Sequence, residues 1–338
     1  MFNPTEIIFA VTTACNLHCE HCFIDRAPHK LKIQDAINLL KSCKDSEGAC
    51  NIEKIGFSGG EPFLYLDFLC EVTKAAVQMD FMFDQIITNG DWWIDESDLM
   101  QKLQTLYDAG YDGKIGLSWD SYHGQSSERM ETFIACVQEL FGDDSINIQT
   151  VDADVENTEG GSLPLAPAVN IASSFSEKNS GKPLHKFANH VSAFTASTTP
   201  SNGALQTTLQ PRNAPKVYHL PRTYTSQDER AWQARRWFKE DFCEGPGQIL
   251  YVHADGNIAP CCGFANENPE LFIGKITDSF EEIIQNASQN KMVKICYEEG
   301  LSHYRRHGLK KKLRADGKKL PGKTADICSF CDFVCKLH

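Results

Sequence analysis

Near the start of the sequence stands EIIFAVTTACNLHCEHC (residues 6–22), where an apolar run typical of a buried strand leads directly into three cysteines. These are Cys15, Cys19 and Cys22, in the spacing C-x3-C-x2-C. For a chain of this length and cysteine content, chance would produce the spacing roughly 0.02 times. A structural zinc site usually has four protein ligands, whereas three cysteines on a [4Fe-4S] cluster leave one iron open. The stretch therefore predicts a metal centre with one vacant corner.

Apolar extended runs alternate with helix-period segments along the first half of the chain. Predicted strands cover residues 6–12, 53–59, 83–90, 113–120, 145–151 and 215–220, and predicted helices cover residues 32–45, 65–79, 96–109 and 126–141. Strict alternation of strand and helix implies right-handed crossovers and a parallel sheet. We therefore expect an α/β protein with a partial (β/α)6 parallel barrel, whose chemistry lies at the carboxyl ends of the strands.

The second half of the chain predicts an insertion and a smaller domain. Residues 152–215 are rich in Ser, Thr, Asn, Gly and Pro, which is typical of an irregular insertion, either a substrate lid or a disordered segment. Further along, the sequence predicts a helix over 226–240, a β-hairpin over 248–260, a helix over 278–290 and then a basic, solvated helix and turn. The predicted domains are 1–235, the barrel with its insertion, and 236–338, a small C-terminal β-hairpin and helix domain.

Composition restricts the partners and the location. The formal net charge is -12, which argues against nucleic acid as the main partner. The sequence has no long apolar run and no secretion signal, so we expect a cytoplasmic protein with no membrane association. In a reducing compartment, clustered cysteines more often bind metal than form disulfides. The isolated cysteines are expected to be small buried hydrophobes, and they are Cys43, Cys50, Cys70, Cys136 and Cys296.

The cysteine spacing and three further motifs resemble the radical S-adenosylmethionine (radical SAM) superfamily. GGEP (59–62) follows the second predicted strand, ITNG (87–90) ends the third, and SWDS (118–121) ends the fourth. The last motif has Ser121 where the family commonly has glycine. Together the motifs cover about residues 5–151.

The resemblance implies a role for each motif. Cys15, Cys19 and Cys22 would bind a [4Fe-4S] cluster, and His21 stands where family members commonly place an aromatic residue against adenine. The expected cofactor-binding residues are His21, Gly59, Gly60, Glu61, Pro62, Asn89, Ser118 and Asp120. Among them, Gly60 and Glu61 would hold the methionine end of S-adenosylmethionine (SAM), with Ser118 and Asp120 near its carboxylate and ribose. Taken alone, GGEP also fits a turn before a helix, and the serine and aspartate of SWDS also fit loop capping.

The same resemblance implies a reaction. The open iron would chelate SAM, and one electron from a flavodoxin- or ferredoxin-type donor would break a carbon–sulfur bond. The resulting 5′-deoxyadenosyl radical would abstract a hydrogen atom from the substrate, while the protein positions the reactants and excludes water. Such an enzyme is expected to be oxygen-sensitive.

A second cysteine group lies towards the other end of the sequence. Cys243, Cys261, Cys328 and Cys331 follow the order C-x12-G-x4-C and C-x2-C, which is similar to the Twitch appendage, a shortened SPASM domain. The resemblance implies one auxiliary [4Fe-4S] cluster, with Cys335 as an alternate ligand. A four-cysteine zinc ribbon has the same ligand count and is the competing interpretation.

Cys262, next to a predicted ligand, is either a buried hydrophobe or a hydrogen donor to a substrate radical. A donor thiol would make the protein an epimerase.

Two classes of function follow. The first is a radical SAM enzyme acting on a peptide, by epimerisation or crosslinking as in the maturation of ribosomally made peptides, or acting on a polar small molecule, for example as a dehydrogenase. The short segment before the first strand predicts no fused leader-peptide-binding domain. The second class is a non-catalytic zinc or iron–sulfur protein that stabilises a fold or carries electrons.

Overall fold

The computed structural model describes residues 2–24, 27–46, 50–151, 214–239, 242–243 and 247–337, and its central element is a nine-stranded sheet. The strands are β1 Glu6–Ala10, β2 Lys54–Ser58, β3 Met82–Thr88, β4 Lys114–Ser118, β5 Ile146–Val151, β6 Lys216–Leu220, β7 Gly247–Val252, β8 Asn257–Cys261 and β9 Gly274–Lys275. Their order in the sheet is β6-β5-β4-β3-β2-β1-β7-β8-β9. The predicted insertion lies outside the described residues over 152–213.

The first six strands confirm the predicted parallel α/β sheet. Each strand from β1 to β6 pairs in parallel with the next. The sheet is open, because β6 stands at one edge and β9 at the other. On its other side β1 pairs in parallel with β7, which pairs antiparallel with β8, and β8 pairs antiparallel with β9. The hairpin predicted over 248–260 is therefore confirmed, and it continues the same sheet.

The helices confirm the predicted alternation. They are α1 Ile33–Asp45, α2 Leu66–Gln78, α3 Glu96–Asp108, α4 Ser127–Phe141, α5 Phe280–Gln289, α6 Lys291–Lys294, α7 Leu301–Tyr304, α8 Lys310–Ala315 and α9 Ile327–Cys335. The first four connect successive strands β1 to β5. Several begin where a side chain accepts a hydrogen bond from the first turn, as Asp95 does for α3, Ser126 for α4 and Ser279 for α5.

The two faces of the sheet differ in character. On the face towards the helices, Ile7, Phe9 and Phe57 are fully buried, and the two phenylalanine rings contact Phe68 of α2. Residues that alternate with them point to the opposite, inner face. Among the described residues, the helices thus cover one side of the sheet, and the other side is available for a site.

The prediction of a helix over 226–240 is wrong. Within residues 226–239, the described part of this segment, only Glu229–Trp232 is helical, as a short 3₁₀ turn. Beyond it, the backbone N–H groups of Ala234 and Phe238 donate to the carbonyls of Lys323 and Thr324 instead of to their own chain four residues back. The Trp232 ring packs on Phe333 of α9. Long-range contacts with the C-terminal region therefore replace helical ones.

The helix predicted over 278–290 is confirmed by α5. After it come α6, a π-helical turn at Ile295–Glu299 and α7, and the predicted basic segment, residues 303–319, contains a second π-helical turn at Arg305–Leu309 and α8. Leu309 and Leu313 are buried on this segment while most of its lysines are exposed, which confirms the predicted solvated helix. Within the part of the chain that the structure describes, no helix has the length and apolar character to span a membrane.

Candidate functional site

The first cysteine group lies in the loop that follows β1. The Cys15 sulfur accepts hydrogen bonds from the Leu17 backbone N–H at 3.4 Å and from the Asn89 amide at 3.6 Å. Cys15 and Cys19 are half-buried and Cys22 is exposed. Among the described residues, no three cysteine sulfurs lie within 4.8 Å of one another, whereas thiolates that share one tetrahedral ion are about 3.8 Å apart.

Gly59 and Gly60 bring the end of β2 against this loop. The Gly60 and Glu61 backbone N–H groups donate to the carbonyls of Thr12 and Ala14, at 2.6 and 2.8 Å. A Cβ atom on Gly60 would stand 2.2 Å from the Ala14 carbonyl oxygen, and one on Gly59 would stand 2.5 Å from that of Thr12. No side chain fits between these two backbones, so the glycines position the cysteine loop.

Replacing Gly60 with alanine should therefore displace the cysteine loop. We expect a loss of at least about 2 kcal/mol in the free energy of unfolding, measured by denaturant titration, and loss of the iron bound by this loop, measured on anaerobic protein. Gly317→Ala is the matched control, because Gly317 has φ +63° but open space around it. That variant should lose about 1–2 kcal/mol from backbone strain and keep its iron. Full iron content in the Gly60 variant would contradict the positioning role.

Glu61, expected at the methionine end of SAM, bonds to other parts of the fold, and its contact with SAM stays a prediction. Its side chain is fully buried, and its carboxylate accepts hydrogen bonds from the Phe63 N–H, the Thr88 hydroxyl and the Asn89 N–H at 2.8–3.0 Å. Burial raises the pKa of this carboxyl to about 7, although the three hydrogen bonds oppose the shift. Glu61 thus joins the ends of β2 and β3 beneath the cysteine loop, while Pro62 begins the short turn after it.

Replacing Glu61 with glutamine tests this connection. An amide NH₂ would face at least one of the N–H or hydroxyl donors, so we expect a loss of about 1–3 kcal/mol in the free energy of unfolding. Glu71→Gln is the control, since Glu71 lies on the exposed side of α2 beside Lys74. Its effect should stay within about 1 kcal/mol. Equal effects of the two substitutions would contradict the structural position of Glu61.

Asn89 connects β3 to the cysteine loop. Its side-chain amide donates to Asn16 Oδ1 at 2.9 Å as well as to the Cys15 sulfur. The Gln125 side chain donates to the Asn89 carbonyl and, at 3.1 Å, to that of Ser118. These bonds bring the ITNG and SWDS motifs to the same edge of the sheet as the cysteines.

Asp120 and His21 meet at this edge. The Asp120 carboxylate binds His123 Nδ1 at 2.7 Å and accepts from the Tyr122 and Val151 N–H groups. Burial opposes its ionised form, but these hydrogen bonds outweigh burial and lower the pKa of Asp120. The His21 ring packs edge-on against the Tyr122 and His123 rings, each with a centroid distance of 5.1 Å. Burial lowers the pKa of His21, which favours a neutral ring suited to contact with an aromatic ligand.

Sequence patterns missed Arg222, which follows β6. Its guanidinium donates to Glu20 of the cysteine loop at 3.2 Å and to the Tyr122 hydroxyl at 3.1 Å, and it lies over the Tyr122 ring. It therefore ties the last parallel strand to the loop. The signal available was its position directly after the sixth predicted strand.

The second cysteine group surrounds a pocket at the end of the hairpin. Cys243, Cys261, Cys328 and Cys331 all line it, as predicted, and Cys296 lines it too. Cys335 is buried beside Cys331 and is not part of the lining. Burial raises the pKa of Cys243 to about 11 and that of Cys261 well above its ordinary range. These thiols would stay protonated until a metal displaces the protons, and the donor set fits an iron–sulfur cluster.

Comparisons with known proteins agree with these two sites. The family described as SPASM, an iron-sulfur cluster-binding domain, matches residues 243–331. "Putative peptide biosynthesis protein YydG" of Bacillus subtilis (strain 168) is 22% identical over 339 residues, which cover 98% of this chain and 92% of that protein. An S-adenosylmethionine-dependent nucleotide dehydratase of Thermoplasmatales archaeon (strain ISO4-H5) is 36% identical over 111 residues, about a third of each chain. The solved structure of Streptococcus suis SuiB bound to S-adenosylmethionine has a TM-score of 0.42 at 14% identity, covering 97% of this chain and 77% of that one.

The fold, the two cysteine groups and the relatives define an iron–sulfur protein with [4Fe-4S] clusters that uses SAM. More particularly, residues 243–331 match the SPASM domain, and the chain as a whole resembles radical SAM enzymes.

Proposed function

We propose that this radical SAM enzyme modifies a peptide, by epimerisation or crosslinking, with Cys15, Cys19 and Cys22 holding the SAM-binding cluster. The observation that carries the proposal is a polar inner sheet face between the two cysteine groups. The relative YydG, named for peptide biosynthesis and aligned with nearly the whole chain, supports a peptide substrate. When bound, the cluster and SAM supply the 5′-deoxyadenosyl radical.

The inner face carries polar side chains around two glycines. The Gln149 side chain donates to Gln85 Oε1 at 3.5 Å, and Gly116 leaves room for both. Across from them, Glu6 Oε1 lies over Gly56, 3.1 Å from where a Cβ would stand. That oxygen is buried and finds no hydrogen-bond partner among the described residues. A buried acceptor of this kind is costly alone, so it suits an N–H donor of a peptide substrate.

Cys262 supports epimerisation as the specific reaction. It follows β8 and remains solvent-accessible. Crowding by protein atoms, with added charge from Glu6 and Asp84, raises the pKa of its thiol to about 11, so an S–H bond is present at neutral pH. Glu6 is the first residue of β1, and the cysteine loop follows Ala10, the last residue of that strand. The two ends of the strand are about 13 Å apart. A substrate between the two would meet them from opposite sides.

Hydrogen donation by Cys262 is balanced in atoms and electrons. Cys262 would return a hydrogen atom to one face of a substrate carbon after bound SAM has supplied the radical that abstracts one from the other face. The thiyl radical left on sulfur regains a thiol with one electron from a flavodoxin- or ferredoxin-type donor and one proton. The residue thus inverts a stereocentre without net oxidation of the substrate.

The proposed function is tested on anaerobically purified protein. It should be brown, bind about eight irons with matching sulfide, and convert SAM to 5′-deoxyadenosine when reduced with dithionite. Incubation in D₂O with peptides encoded beside the gene should introduce one solvent deuterium into an epimerised residue. Colourless protein that holds zinc would instead favour the non-catalytic alternative. A product without deuterium but with a new crosslink would favour crosslinking.

A further inference from the structure

The pocket at the second cysteine group has more thiols than a cluster needs. Five cysteines line it, together with apolar side chains from Ala265, Leu271, Leu301 and Ile327. A [4Fe-4S] cluster has four irons, and each takes one thiolate. One of the five sulfurs therefore has no iron of its own, and the sequence motif C-x12-G-x4-C with C-x2-C does not include Cys296.

Cys296 is held at the pocket by the main chain around it. It lies in the π-helical turn Ile295–Glu299, a type of turn that often marks functional sites. Its carbonyl accepts a hydrogen bond from the Cys243 N–H at 3.1 Å. The next residue, Tyr297, donates its hydroxyl to the Pro260 carbonyl at 2.9 Å. The turn is thus bonded to residues at or beside two predicted ligands.

The distance between the sulfurs of Cys296 and Cys331 indicates which corner of the cluster the two residues share. Their sulfurs are 3.8 Å apart. Two thiolates bound to one tetrahedral metal with bonds near 2.3 Å are separated by about 3.8 Å. No third cysteine sulfur of the described chain lies within 4.8 Å of both, although Cys335 also contacts Cys331. Cys296 and Cys331 both line the pocket, so this pair can face a single corner.

We propose that Cys296 is an alternative ligand of the auxiliary cluster and occupies the corner of Cys331 when Cys331 is absent. The inference rests on the auxiliary cluster of the proposed function. Binding by Cys296 involves no change of oxidation state: its thiol would lose its proton to solvent, and its sulfur would bind the iron that Cys331 otherwise holds. Cys335 contacts Cys331 but lies outside the pocket lining, so it is not expected to substitute.

The experiment uses the full chain with Cys15, Cys19 and Cys22 all replaced by alanine, so that bound iron reports only the auxiliary site. This parent should bind about four irons per chain and give the electron paramagnetic resonance signal of a reduced cluster. Adding Cys331→Ala should leave the iron content near four. Adding Cys335→Ala to that variant should leave the iron content and the signal unchanged, whereas adding Cys296→Ala should remove both.

Loss of iron in the Cys331→Ala variant, or retention after Cys296→Ala is added, would overturn the inference. A parent without iron would overturn the auxiliary cluster itself, which separates that failure from a wrong ligand. Folding is checked by far-ultraviolet circular dichroism. If alanine at 331 prevents folding, Cys331→Ser, closer in volume to cysteine, replaces it, and the cluster signal should again depend on Cys296 and not on Cys335.

Discussion

Replacing Cys19 with alanine should reduce 5′-deoxyadenosine formation to the level of a protein-free control. The loop would keep only two of its three thiolates, and the open iron corner proposed for SAM depends on all three. Iron content should fall from about eight to about four per chain, because the second cysteine group is separate. The measurements are anaerobic iron and sulfide analysis and chromatographic detection of 5′-deoxyadenosine after reduction.

Cys50→Ala serves as the matched control, since Cys50 is half-buried and belongs to neither cysteine group. It should retain both the iron and the SAM cleavage. Normal 5′-deoxyadenosine formation by the Cys19 variant would refute the assignment of this loop. Complete loss of iron would indicate that the whole fold depends on the first cluster.

Cys262→Ala should separate SAM cleavage from product formation. Cys262 is not expected to bind either cluster, so 5′-deoxyadenosine should still form at a rate comparable with the unsubstituted enzyme. The epimerised peptide should disappear, because no S–H bond remains beside Glu6 to return a hydrogen atom. Chiral analysis of the hydrolysed peptide and its deuterium content in D₂O measure the result.

The control for this second prediction is Cys70→Ala. Cys70 is buried in α2 with its sulfur towards the Thr105 carbonyl, far along the sequence from both groups, and its replacement should leave the epimer yield unchanged. An unchanged yield in the Cys262 variant would dismiss this thiol as the donor. Cys262→Ser should behave like the alanine variant, since a serine O–H bond is too strong to give up its hydrogen atom.

The regular elements were predictable because their signals are local. Ile7 and Phe9 alternate with inner-face residues at the period of a strand, and the caps at Asp95 and Ser126 mark helix starts. The segment 226–240 has helix-compatible composition, yet Trp232 and Phe238 find their partners in residues 323–333. Such partners are a hundred residues away along the chain, so no local period reveals them.

The same contrast applies to the candidate site. Cys15, Cys19 and Cys22 could be proposed as cluster ligands because their close spacing is itself the signal. Glu61 was also identified from a motif, GGEP. The motif does not specify the direction of the side chain, and in the structure the buried carboxylate faces β3. Cys296 looked like an isolated buried cysteine because its approach to Cys331 depends on how a π-helical turn packs against α9.

The position of β7 beside β1 determines where the chain can be cut into fragments that fold. Residues Ile7 to Phe9 have a strand on each side, β2 and β7. A fragment that stops before residue 247 would leave the carbonyl and amide groups along one side of β1 unpaired, and exposed edges of that kind template aggregation. The SPASM-type region is therefore not a detachable module, and exchanging it between relatives would require transferring the hairpin that shields the strand beneath the cysteine loop.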